Sequence, residues 1–161
     1  MQLFLLRHGD AEPFRTDDAS RALTPAGEEQ SNRAGKFLQS RGVQPDLIFH
    51  SPLLRAKQTA SLIHTRFPSA AMKETEHLTP SSDQRQLLQE FNGTGYRNAF
   101  FCVGHEPFLS ALISFLSTGS RNAHIAFGTG SLACLHISLP FEPESGKLLW
   151  LLPNEMLRME G

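Results

Sequence analysis

The chain has little cysteine, no long apolar run and almost no net charge, and each shortage removes a class of function. Its 161 residues hold two cysteines, Cys102 and Cys134, too few and too far apart for a zinc signature. Both lie in apolar, strand-like text, so buried free thiols in a reducing cytoplasm are expected rather than a disulfide. Lys and Arg number 15 against 16 Asp and Glu, a formal net charge of -1. No basic excess therefore marks a nucleic-acid or acidic-membrane partner. No apolar run reaches about 18 residues, the length of a membrane span. The run from Gln2 to Leu6 is only strand length, and Arg7 and His8 interrupt it, unlike a secretion signal. Repeats, low-complexity tracts and linkers are missing too, so one domain over residues 1–161 is expected, large enough for a continuous core.

What is present is an alternation of strand-like and helix-like text, which predicts an α/β fold with a mostly parallel sheet and helices on both faces. Leu3-Phe4-Leu5-Leu6 reads as a buried strand, followed by a polar loop from Asp10 to Leu23. Thr24-Pro25 is read as N-cap and first helical residue, with Glu28 and Glu29 favouring the helix dipole and Gly42 closing the helix. After a strand from Asp46 to His50, Ser51-Pro52 is read as a second cap and helix opening. Leu53, Ala56, Ala60, Ile63 and Phe67 follow at steps of three and four, a single helical stripe. An edge strand is expected over Lys73 to Leu78, then a short helix capped by Ser82 and closed by Gly93. Ala99 to Val103 reads as another buried strand, followed by an apolar helix ending at Gly119. Leu132 to Leu139 and Leu148 to Leu152 are expected to pair antiparallel around a turn near Glu144-Ser145-Gly146.

Two of these strands end on chemistry. Arg7-His8-Gly9 follows the first, and Gly104-His105-Glu106-Pro107 follows the strand ending at Val103. Open α/β sheets bind ligands at the carboxyl ends of their strands, so both histidines are expected at that edge. Arg55 falls in the opening turns of the second helix. Arginine grips phosphate through a planar fork and stays charged at any working pH, and helix-start amides also suit an anion. A single histidine after a strand is usually ordinary packing, as is a lone helical arginine; two such patterns together are not. His64, His77, His124 and His136 have no comparable context, and His50 comes nearest to one because it ends a strand before Ser51. Two arginines and two histidines suffice for a dianionic phosphoryl group, and no metal or cofactor is needed to balance its charge.

The order of motifs resembles the histidine phosphatase superfamily, also called phosphoglycerate-mutase-like, and within it the SixA-type protein phosphohistidine phosphatases. The matching text is Leu5 to Ala11, Arg21 to Gly27, Ser51 to Ala60, Glu76 to Pro80 and Gly104 to Pro107. The resemblance implies that His8 accepts the phosphoryl group, that His105 is the second catalytic histidine, and that Arg7 and Arg55 bind phosphate. Arg21 matches a position of the SixA-type subgroup, and Glu76 aligns where ester-cleaving members carry a general acid. Asp10, Asp18 and Asp83 are weaker stand-ins for that acid. His8 must attack as a neutral ring, and an unperturbed histidine, with a pKa of about 6.5, is already mostly neutral in the cytoplasm. About 40 residues lie between Thr65 and His105, which leaves minimal room for a lid insertion. The implied activity is metal-independent hydrolysis of phosphohistidine on a phosphotransfer-type partner protein, by a cytoplasmic monomer or weak oligomer. The competing readings are a phosphatase of a small phosphorylated metabolite, an inactive phosphate-binding module and a histidine-based metal hydrolase.

Overall fold

The computed structural model describes residues 1–95 and 98–159. Its strands are β1 (Gln2–Arg7), β2 (Leu47–His50), β3 (Ala71–Glu74), β4 (Ala99–Gly104), β5 (Leu132–Ile137) and β6 (Gly146–Leu152). The α-helices are α1 (Pro25–Ser40), α2 (Leu54–His64), α3 (Gln84–Asn92) and α4 (Phe108–Thr118), with short 3-10 turns at Glu76–Leu78 and Asn154–Met156. The sheet runs β3-β2-β4-β1-β5-β6. The first four of these neighbours pair parallel, and β5 pairs antiparallel with both β1 and β6.

Alternation along the central strands sends side chains to both faces. Leu3, Leu5, Phe100 and Cys102 pack with Leu87, Phe91, Leu109 and Leu112 of α3 and α4. Phe4, Leu6, Phe101 and Val103 pack with Ala34, Leu38, Ala60 and Ile63 of α1 and α2. Fully burying one such phenylalanine or leucine is worth about 1.5–3 kcal/mol, so both helical layers are held firmly to the strands that carry the site. Cys102 and Cys134 are buried free thiols in opposite layers. No α-helix among the described residues is long and apolar enough to cross a membrane.

Several expected boundaries hold. Thr24 caps α1 by accepting the Gly27 N–H, Gly42 follows its end with φ +69°, and Gly119 closes α4 in the left-handed conformation. Others move. Helix α2 begins at Leu54, not at Pro52, because Ser51 is drawn into a tertiary contact described below. Asp83, not Ser82, caps α3; the Ser82 hydroxyl instead donates to the Glu76 carbonyl. The edge strand spans Ala71–Glu74 rather than Lys73 to Leu78, since its parallel ladder with β2 starts at Ala71 and Thr75 caps a 3-10 turn. The β5 strand stops at Ile137, short of Leu139, whereas β6 starts two residues earlier than expected, at Gly146.

Candidate active site

The register of the two central strands sets the site. Arg7 pairs with Gly104, so His8 and His105 step off adjacent strands at the same level. Their rings lie 4.9 Å apart between centroids. The His8 N–H donates to the Gly104 carbonyl, and the Gly130 N–H reaches the carbonyls of Arg7 and His8. The next residue must be glycine: a Cβ at Gly9 would lie 2.3 Å from the Gly27 carbonyl oxygen. The Gly9 N–H donates to Thr59 Oγ1, whose hydroxyl donates to the Arg55 carbonyl. Helix α2 thus pins the turn that carries His8.

His8 is held as one tautomer. Its Nδ1 lies 2.7 Å from the Gly9 carbonyl oxygen, which only accepts, so Nδ1 carries the proton and Nε2 presents a lone pair. Arg55 Nε donates to that Nε2 at 3.3 Å. Burial, reinforced by the charges of Arg55, Arg7 and Arg21 against the Gly9 hydrogen bond, lowers the His8 pKa to about 4. The ring is therefore neutral at physiological pH.

His105 presents the complementary atom. Its Nε2 lies 2.7 Å from Ser51 Oγ, which also accepts the Leu53 N–H. Ser51 is fully buried, and His105 Nε2 is the acceptor within reach of its hydroxyl proton. With that proton on Nε2's side of the contact, Nδ1 is the protonated nitrogen of a neutral ring. This Nδ1 is buried and has no protein partner among the described residues. Burial, and then the neighbouring His8 and Arg55, lower the His105 pKa to about 3. Arg7 repeats the pattern: Nη1 donates to the Phe127 carbonyl, while its buried Nε has no protein partner.

Arg55 is almost fully buried and uses its whole fork. Nε meets His8, Nη1 donates to the Asp18 carbonyl at 2.9 Å, and Nη2 pairs with Asp18 Oδ2 at 3.2 Å. Arg21 stands one residue further out, joined to Asp18 Oδ1 at 3.0 Å and to the Glu12 carbonyl. The sequence-predicted Arg7, His8, Arg55 and His105 therefore converge, and Arg21 reaches them through Asp18. Glu76 does not join them: its exposed side chain makes no hydrogen bond or ion pair to the cluster. Nor are the expected helix-start amides all open, since those of Leu53 and Leu54 bond Ser51 Oγ and the Ala19 carbonyl, and that of Ser110 bonds Glu106. Two participants escaped the sequence reading. Ser51 reads as a helix cap in the sequence but meets His105, and Thr59, a polar residue one turn after Arg55 on a buried helix face, is itself a signal.

A sheet edge that gathers two neutral histidines among arginines, with unsatisfied donors beside an imidazole lone pair that meets only a guanidinium, defines a phosphoryl-handling α/β protein. Residues 3–79 match the family described as Histidine phosphatase superfamily (branch 1). Phosphohistidine phosphatase SixA of Escherichia coli (strain K12) is 29% identical over 99% of this chain and 98% of its own length. An uncharacterized protein of Picosynechococcus sp. is 41% identical over 78% of each chain. The solved structure of the protein histidine phosphatase SixA complexed with tungstate has the same fold, with a TM-score of 0.86 at 24% identity, covering 98% of this chain and 100% of that one. The chain belongs to the histidine phosphatase superfamily. Within that superfamily, its similarity over the full length is to SixA.

Proposed function

We propose that this protein removes the phosphoryl group from phosphohistidine on a cytoplasmic partner protein, without a metal, through a phospho-His8 intermediate formed by one domain spanning residues 1–161. The observation that carries the reading is the pinned His8 tautomer, with the Nε2 lone pair facing Arg55 Nε, and the buried Arg7 Nε and His105 Nδ1 without protein partners. The similarity to a full-length relative named phosphohistidine phosphatase supports the substrate class.

In the first step His8 Nε2 bonds to phosphorus as the bond from phosphorus to the substrate nitrogen breaks. The electron pair returns to the substrate ring, which leaves as neutral imidazole if its other nitrogen carries a proton. The phosphorylated His8 ring keeps its Nδ1–H on the Gly9 carbonyl. Around the axis from His8 Nε2 to the leaving nitrogen, Arg55, the Arg7 Nε–H and the His105 Nδ1–H take the equatorial phosphoryl oxygens, so the donors without partners become satisfied as charge develops. In the second step water attacks the phosphorus, releasing phosphate and restoring neutral His8.

The deciding experiment compares kcat/KM for a phosphohistidine-bearing photransfer domain with that for sugar phosphates and nucleotides. The phosphoprotein is expected to be the best substrate. Faster turnover of a metabolite would replace this reading with a metabolite phosphatase using the same four residues.

The Ser51 contact makes a separate prediction. Ser51→Ala removes the hydroxyl that holds His105 Nε2, and kcat is expected to fall about tenfold to a hundredfold with KM little changed. The ¹⁵N shifts of the His105 ring report the protonated nitrogen directly. An unaltered tautomer in the variant would show that Ser51 does not set it.

A further inference from the structure

Asp18 occupies an unusual position among the charges of the site. It sits in the segment between β1 and α1, which folds back over the sheet edge. The Ala11–Leu23 bridge ties the ends of that segment, and the Leu54 N–H holds its middle through the Ala19 carbonyl. One carboxylate oxygen meets Arg21 and the other meets Arg55, whose Nε faces the His8 lone pair. Asp18 is thus one guanidinium away from the nucleophile. Its side chain is 46% exposed against 5% for Arg55, so of this pair Asp18 is the member open to solvent.

Neighbouring carboxylates are committed elsewhere. Asp10 accepts the Thr24 hydroxyl, Asp17 accepts the Ala19 N–H, and Glu106 holds Ser110. Asp18 also acts electrically on the site, where its charge opposes those of His8, Arg55 and Arg7 at His105. Its hydrogen bond from Arg21, and then the nearby Arg55 charge, hold its carboxyl below the usual carboxylate range. A carboxylate kept ionised cannot donate a proton to a leaving alkoxide, but it is a strong acceptor.

That distinction matters for a phosphorylated imidazole. Such a ring leaves easily only when its far nitrogen is protonated, and the resulting cation is opposed by Arg7, Arg21 and Arg55. We propose that Asp18 is a specificity residue whose carboxylate accepts the far N–H of the phosphorylated imidazole, favouring the labile protonated ring and selecting phosphoramidates over phosphate esters. The inference rests on the phosphohistidine reading above. As the P–N bond breaks, its electron pair stays on the departing nitrogen, the proton stays on the far nitrogen facing Asp18, and phosphorus passes to His8 Nε2. Asp18 serves the substrate ring as the Gly9 carbonyl serves His8.

The test measures kcat/KM for the phosphohistidine protein and for p-nitrophenyl phosphate, whose phenolate departs without a proton, in the parent, Asp18→Asn and Asp18→Glu proteins. Asp18→Asn is expected to lower the phosphohistidine-to-aryl ratio by about tenfold or more, the worth of a charge-assisted hydrogen bond. Its phosphohistidine rate should also begin to decline at a lower pH than the parent's, because the substrate ring loses its proton more readily. Asp18→Glu should recover part of the ratio. Equal losses on both substrates, with an unmoved pH profile, would overturn the inference and leave Asp18 as a strut for Arg55 and Arg21. A parent protein that turns over the aryl ester but no phosphohistidine would instead overturn the substrate reading and this inference together.

Discussion

His8→Ala is expected to lower kcat by about 10⁴-fold or more, the scale seen when a covalent nucleophile is removed from an enzyme. Rapid quench with labelled phosphohistidine protein should show acid-labile, base-stable label on the parent chain and none on the variant. Turnover by the variant at the parental rate would remove His8 from the mechanism. The same residue makes a pH prediction. With its pKa lowered to about 4, His8 stays neutral through the mildly acidic range, so its protonation should not limit kcat/KM until pH approaches that value. Stability follows a related course. His8 and His105, at about 4 and about 3, bind fewer protons folded than unfolded, where an ordinary histidine titrates near about 6.5. Stability is full above that value and is lost as pH falls from it toward about 3, the lower of the two folded values, which thermal unfolding across the window would record.

Arg55→Ala is expected to lower kcat/KM by roughly a hundredfold to a thousandfold, since it removes a preorganised donor from the transferring group. It also strips the Asp18 carbonyl and Oδ2 of their partner, leaving Arg21 on Oδ1. Arg55→Lys retains the charge but not the fork that spans His8 and Asp18 together. Recovery should therefore be partial, with binding of orthovanadate weakened in parallel with the rate. Full activity with lysine would mean that charge alone, without the planar geometry, is what the reaction needs.

Much of this arrangement was legible in the residues. The apolar runs ending at Arg7 and Val103 announce buried parallel strands, and the motifs that follow each one land at the same sheet edge. The resemblance to the superfamily supplied the pairing with Arg55. What remained hidden depends on register and on tertiary partners. No local pattern states that Arg7 lies opposite Gly104, the fact that brings two imidazoles within ring contact. Ser51 and Ser82 both resemble helix caps, because a small hydroxyl residue at a helix opening can bond a backbone amide. In the folded chain His105 engages the first and the Glu76 carbonyl receives the second, and each helix starts later. Glu76 marks another limit of motif order: its place suits an acid, and its side chain is exposed and makes no hydrogen bond or ion pair to the cluster.

The contact between the ends of β1 and α1 separates two anchorages in the site. Methyl groups at Gly9 or Gly27 would run into the facing backbone at 2.3 Å and 2.0 Å, so these two chain segments are fastened main chain to main chain. The segment between them, Asp18 and Arg21 included, is fixed at its ends by that clasp and at its middle by Leu54 and Arg55. The turn that carries His8 is held by Gly27 and Thr59, outside residues 12–22, whereas Arg55 takes its bearing from Asp18, inside them. The nucleophilic ring proposed for the reaction and the guanidinium beside it are thereby anchored by different stretches of one polypeptide.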